Sequence, residues 1–543
     1  MAKDLDLADI QGNILQAYGR QGFPAGRCIL LHVNQHRAQE ARDLLNLLLP
    51  QVTTAELWPS SRTQKLRGSY SITAQKPEVA LNIAFTFAGL VALGVPIRTL
   101  RGMPDEFQEG MLKRAEILRD VQGNQTSIRD LWDPIWVNEL SPNGNSKEVH
   151  VLIILNGCLH TTYADLQKAI EDKTAYIASL CGEDKGMKIL TGHRGDQPDY
   201  QDIHVLPGDP RKEHFGFTDG IGDPVFEGQY PDDEVMANAV IGQGKFTTDQ
   251  RWAPLATGEF LLGYADEAQE TPGAAMPMTF SRNGTFMAYR KLHQNVNAFH
   301  RYVEAKALEY ASIHGVDRVE AKETLLAKMA GRWSDGIPLM KAPTYDMWKR
   351  EKEKLSALKD KDYQKALDLL QRDFTYAADP EGSLCPFSSH LRRSNPRDML
   401  DPNVRAAGTG EPSPKATSVL NNRRRILRRG LPYGVSGPGI SDEEEHGVII
   451  LFVCASLFRQ FEFVQQQWLQ YGLDFQSGND TCPLVGNHDP GTKFVIETSA
   501  ESGKPPFICD QMPQFVEVRG GAYFFIPSLT ALRLIAQGLT DPT

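Results

Sequence analysis

The order of short apolar runs and amphipathic stretches constrains this chain most. Arg27 to Val33 (RCILLHV) is a short apolar strand, and His36 to Leu49 carries leucines at helical spacing. Gly68 to Ala74 alternates like a strand, and Val79 to Leu93 reads as an apolar helix ending near Gly94 and Pro96. Val149 to Leu155 (VHVLIIL) is a buried strand, Thr162 to Leu180 a helix, and Met187 to Leu190 the start of another strand. A β-α-β unit followed by α-β fits an antiparallel, ferredoxin-like α+β sheet better than a doubly wound one.

The layout returns later in the chain. Gly284 to Leu292 and Val448 to Cys454 read as strands, each followed by a helix, Gln294 to Ile313 and Leu457 to Leu469. Ala522 to Ile526 is a last strand and Ser528 to Gln537 a last helix. With 543 residues there is room for two such units. The expected division is residues 1–210 and 211–543, joined near the turn Pro207-Gly208-Asp209-Pro210. No repeat shows in the sequence itself, so the duplication rests on element order. Residues 346–374 carry mixed charge at helical spacing and read as an inserted, solvated helical segment. Residues 402–424, rich in Pro, Gly, Ser and Asn, read as a long loop.

Charge and cysteines narrow the classes. A formal net charge of -10 argues against a general nucleic-acid binder. The first residues lack an apolar signal region and no run is long enough to span a bilayer, so the chain is read as cytoplasmic and not membrane-bound. Seven scattered cysteines without a CxxC pair read as buried, reduced thiols.

Three segments carry chemistry. The first, Cys385 to Asp398 (CPFSSHLRRSNPRD), sets His390 among Arg392, Arg393 and Arg397 in an acidic chain. Clustered arginine suggests a bound anion, and the histidine a metal. A haem has both features: an iron that takes an imidazole, and propionates that need cations. A ligating histidine also needs an acceptor for its other ring N–H, and Glu462, between Phe461 and Phe463, is a candidate. The second is Phe215-Gly216-Phe217-Thr218-Asp219-Gly220-Ile221-Gly222-Asp223-Pro224. Its glycines permit tight turns and a close approach to a flat ligand, although a turn with a capping Asp is the commoner explanation when taken alone. It lacks the spacing of a dinucleotide fingerprint. The third is Arg423, Arg424, Arg425, Arg428 and Arg429, where Leu431-Pro432-Tyr433-Gly434 suggests a turn that points Arg428 or Arg429 inward. As a bare charge run it reads as a solvated loop or a phosphate contact.

Together these segments resemble the dye-decolourising peroxidases. The resemblance rests on the GxxDG loop (Gly216 to Gly220), His390 with Asn395-Pro396-Arg397, and Arg428 ahead of Pro432-Tyr433-Gly434. The opening Asp9-Ile10-Gln11-Gly12-Asn13-Ile14-Leu15 and the closing Gly520 to Ser528 extend it across nearly the whole chain. It implies two ferredoxin-like domains of the dimeric α+β barrel type, with one haem b per chain held mainly by the second. It implies a peroxidase that uses hydrogen peroxide to oxidise dyes and other aromatic reductants. By similarity His390 is the axial ligand, Asp219 the distal acid/base, Arg428 its partner, Arg397 a propionate holder and Gly220 part of the haem-facing loop. Glu462 is assigned behind His390. The alternative is a haem-binding or iron-release protein with little turnover, but a mere carrier needs neither Asp219 nor Arg428.

Overall fold

The computed structural model describes residues 5–58, 76–120, 127–137, 148–208, 211–230, 240–247, 249, 251–400, 419–437, 439–475, 477–478, 480–498 and 503–539. The predicted strand at 68–74 and most of the 402–424 loop lie outside them. So do Asp209 and Pro210 of the predicted joining turn.

Nine strands form one antiparallel sheet. The first part of the chain supplies β1 (Ala25–Val33), β2 (Val79–Phe85), β3 (Val151–Gly157), β4 (Met187–Ile189) and β5 (Gln201–His204). The later part supplies β6 (Thr285–Gln294), β7 (Leu427–Gly434), β8 (His446–Cys454) and β9 (Val516–Ile526). The order across the sheet is β4-β1-β3-β2-β9-β6-β8-β7, with β5 pairing β1 off that path. Numbered within its own half, each set of four runs 4-1-3-2. The helices fall in matching places: α1 (Ala38–Leu48) and α2 (Tyr163–Leu180) in the first half, α3 (Val296–His314) and the π-helical pair Leu457–Glu462 and Val464–Leu469 in the second. This is the ferredoxin-like α+β arrangement expected from the element order.

The halves meet where β2 lies beside β9, with Phe85 opposite Phe525. The buried Gln11 side chain closes this seam. Its amide donates to the carbonyls of Ile83 and Pro527, and its oxygen accepts from the Ile83 N–H. One apolar core runs across both halves of the sheet and includes Ile29, Ile153, Phe286 and Phe524. A second gathers α3, α4 (Arg318–Ala330), Trp333, Trp348 and Trp468.

Two elements differ from the sequence reading. Val79 to Phe85 is strand β2, and only Phe87–Ala92 is helical, capped by the Thr86 hydroxyl accepting from the Gly89 N–H. A strand buried on both faces is a continuous apolar run, which periodicity cannot tell from a buried helix. The Leu431 to Gly434 stretch is not a turn but the end of strand β7. It tolerates Pro432 because it ends the sheet order and pairs β8 along one edge. The charged segment forms helices Tyr345–Ser356 and Asp360–Arg372, as expected.

Candidate functional site

Strand β7 builds the site by alternation, since successive side chains leave a strand on opposite faces. Arg428 and Arg429 therefore diverge. Arg428 Nη2 donates to Asp219 Oδ1 at 2.8 Å. Arg429 is buried against the Asn13 and Ile14 carbonyls and Asp223. Asp219 is held through its backbone: its N–H donates to the Arg211 carbonyl at 2.8 Å, and the preceding Thr218 hydroxyl donates to the Ser334 carbonyl. Glu213 organises the same loop. Its carboxylate accepts from the Phe215 and Phe217 N–H groups and, at 2.6 Å, from the Gln294 amide.

The Arg428 and Asp219 side chains are 35% and 41% exposed, but to an internal cavity, because protein encloses both. Burial raises the Asp219 carboxyl's pKa. The Arg428 guanidinium, the Gly220 N–H and Arg20 outweigh burial and hold it below the usual carboxylate value. Arg428 is correspondingly raised by the Asp219 charge.

The cavity measures about 240 Å³. One wall is the second-half sheet. Val448, Ile450 and Phe452 of β8 face it, while Ile449, Leu451 and Val453 between them are buried on the opposite face. Leu292 of β6 and Val516 and Val518 of β9 extend this apolar wall. His390, at the start of helix His390–Ser394, lines the same cavity. Burial and the Arg428 charge push His390 down to about 4, so the imidazole is neutral and able to ligate a metal.

Several sequence assignments need correction. Glu462 is not behind His390. It pairs with Arg114 at 2.6 and 2.7 Å and accepts from the Tyr523 hydroxyl. Its place in the π-helical stretch turns it toward these groups. His390 Nδ1 instead contacts Cys482 Sγ at 3.2 Å. Gly220 does not line the cavity; its φ of +72° lets its N–H turn toward Asp219. Arg392 is bound to Asp379 at 2.6 Å, and Arg393 donates to the Trp468 and Tyr471 carbonyls. These two arginines hold the fold around His390 rather than face a ligand.

Arg397 leaves two nitrogens free for an anion. Its Nη1 donates to the Arg372 and Phe374 carbonyls, while its Nε and Nη2 are buried without a partner among the described residues. Arg332 is similar: Nη1 donates to the Gly336 and Gln371 carbonyls, and Nη2 has no partner among the described residues. The two Nη2 nitrogens converge at the cavity-lining Gly222. A Cβ placed there would lie 3.5 Å from Arg397 Nη2 and 3.6 Å from Arg332 Nη2. Burial and the neighbouring Arg397 charge push Arg332 down to about 9, and burial pushes Arg397 to about 10. Paired buried cations of this kind fit a carboxylate. A neutral imidazole, an apolar sheet wall and this cationic corner together fit the haem that the resemblance implies. Arg332, Glu213 and Cys482 escape a sequence reading because the contacts that tie each to the site, with Gln371, Gln294 and His390, span 39, 81 and 92 residues.

The fold and cavity define a duplicated α+β protein with a cavity against the sheet of its second half. Residues 9–183 match the family described as the DyP dimeric alpha+beta barrel domain. "Peroxidase 2" of Mycetinis scorodonius is 27% identical over 556 residues, covering 97% of this chain and 87% of that protein. The "Multifunctional dye peroxidase DyP2" of Amycolatopsis sp. is 25% identical over 548 residues, covering 97% and 95%. A solved fungal DyP-type peroxidase from Auricularia auricula-judae superposes with a TM-score of 0.68 at 25% identity, covering 99% of this chain and 100% of that one. Residues 9–183 thus carry the DyP dimeric alpha+beta barrel domain, and over nearly its whole length the chain is similar to DyP-type peroxidases.

Proposed function

We propose that this chain is a haem-dependent peroxidase that uses hydrogen peroxide to oxidise dyes and other aromatic reductants. The observation that carries this reading is the Asp219–Arg428 ion pair, which faces the same enclosed cavity as a neutral His390. His390 would be the axial ligand of one haem b, and Arg332 and Arg397 would hold its propionates. When bound, the haem supplies the redox chemistry. Asp219 Oδ takes a proton from hydrogen peroxide and returns it to the departing oxygen. Arg428 stays protonated throughout and stabilises the negative charge that develops between those steps.

The reductant class follows the family. A dye-decolorizing peroxidase of similar fold has been solved with 2,6-dimethoxyphenol, and we assign phenols and dyes to this chain by analogy. We also divide the chain at residues 1–210 and 211–543, with haem held mainly by the second part. Apart from Arg119, the cavity is lined by residues from 213 onward. All seven cysteines are unpaired, in keeping with a cytoplasmic location. No described helix is long and apolar enough to cross a membrane.

The test is a visible spectrum of the purified, haem-loaded protein before and after peroxide. The expected result is a histidine-ligated ferric haem that changes rapidly on peroxide addition, and loss of that ligation in His390→Ala. A His390→Ala protein with an unaltered spectrum and activity would refute the assignment.

A further inference from the structure

The reading above leaves open what controls the ring of His390. The atom in contact with its Nδ1 is a sulfur, Cys482 Sγ, at 3.2 Å. Cys482 is fully buried. Its backbone is fixed at both ends: its N–H donates to the Leu469 carbonyl at 2.8 Å, and its carbonyl accepts from the Gly486 N–H at 2.9 Å. The His488 ring contacts the same carbonyl. The N–H groups of Leu484, Val485 and Gly486 turn toward the sulfur. These contacts fix the backbone that carries the thiol beside His390, and among the described residues no carboxylate contacts the ring.

Resting on the haem reading, we propose that Cys482 is the positioning residue for His390, accepting the Nδ1–H through sulfur in the place where a carboxylate would make the imidazole a stronger donor. A thiol is a weak acceptor. It fixes the tautomer, with Nδ1–H toward sulfur and the Nε2 lone pair toward the cavity. It draws little on the Nδ1 proton, so the ring keeps an ordinary donor strength. A carboxylate at this position would polarise the ring and stabilise ferric over ferrous iron. The prediction is a haem of higher reduction potential than a carboxylate-backed site would give.

The experiment uses the full chain loaded with haem b, as wild type, Cys482→Asp and Cys482→Ser. The Fe(III)/Fe(II) midpoint is read by spectroelectrochemistry and the ferrous iron–histidine stretch by resonance Raman. Cys482→Asp should shift the midpoint to more negative values and raise the stretching frequency. Cys482→Ser, nearly isosteric and a better acceptor than a thiol, should move both in the same direction by less. It also serves if the Asp variant fails to load haem. Histidine ligation with both readouts at wild-type values in the variants that load haem overturns the proposal alone. A wild-type haem that is not ligated by histidine, checked with His390→Ala, overturns the haem reading and the proposal with it.

Discussion

Asp219 keeps its charge in acid because Arg428 and the Gly220 N–H outweigh the burial that would neutralise it. Its pKa is depressed, so the carboxylate is fully ionised above the ordinary aspartate value of about 3.9 and is lost only as pH falls through the lower folded value. The rate of reaction with peroxide alone should therefore hold steady from neutral pH to about pH 5, where an unperturbed histidine base at ~6.5 would have lost most of its activity. Stopped-flow rates across that range check this, and a collapse below pH 6.5 removes Asp219 from the base role. Asp219→Asn should cost about 10²–10⁴-fold in that rate, the usual weight of a positioned acid or base. Arg428→Leu should cost about 10²–10³-fold and also move the acid limb upward, because Asp219 loses the cation that depresses it. A rate lowered without a shifted limb would mean that Arg428 acts on peroxide but not on Asp219. These residues were legible in the sequence because each sits in a short run whose neighbours impose its geometry: glycines around Asp219, Asn-Pro-Arg after His390, Pro-Tyr-Gly after Arg428. Arg332 and Cys482 had no such surroundings, and Glu462 was misassigned because only the packing of its helix decides where its carboxylate points.

Strand β7 turns a run of arginines into a site by sending alternate side chains to opposite faces, and its place beside β8 depends on glycines, of which Gly430 is nearest Arg428. Gly430 has φ +130° and lies opposite Ile450, with the Ile449 carbonyl 1.9 Å from where a Cβ would stand. Gly430→Ala should therefore push β7 off β8 and carry Arg428 with it. The expected cost is about 1–3 kcal/mol from overpacking, on top of backbone strain of similar size. The control is Gly315→Ala, at a helix end with φ +68° and nothing within 4 Å of a new Cβ, which meets the strain without the clash. Denaturant midpoints and peroxide rates of the two variants check the difference; equal effects would show that β7 yields without disturbing Arg428. The same strand shows where sequence reading fails at this scale. An edge strand containing Gly and Pro looks like a turn, and β2, buried on both faces, looks like a helix. Strands with one face toward a cavity, such as β8, were read correctly because the apolar run was short and bounded.

Across the whole molecule, the halves are joined by more than the β2–β9 seam. The segment between β2 and β3 reaches over the second half and sets three buried charged pairs into it: Arg114 with Glu462, Asp120 with Arg290, and Asp133 with Lys291. Their sequence separations are 348, 170 and 158 residues, so no local pattern announces them. The repeated ferredoxin-like layout was readable from element order; this clamp between the copies was not. Breaking such a pair leaves an uncompensated buried charge, which costs about 3–5 kcal/mol, far more than an exposed pair. Glu462 also accepts from Tyr523 on β9, so it ties Arg114 to a strand of the second-half sheet. Glu462→Ala should lower the denaturant midpoint of the whole chain, followed by far-ultraviolet circular dichroism and the haem band together. It should leave the ferric haem spectrum at wild-type wavelengths, because the ring of His390 rests on Cys482. The two roles for Glu462 separate cleanly in this variant. A carboxylate behind the axial histidine would shift the spectrum at constant stability, whereas a clamp between the halves lowers stability at constant spectrum, and a shifted spectrum with an unmoved midpoint would return Glu462 to the proximal side.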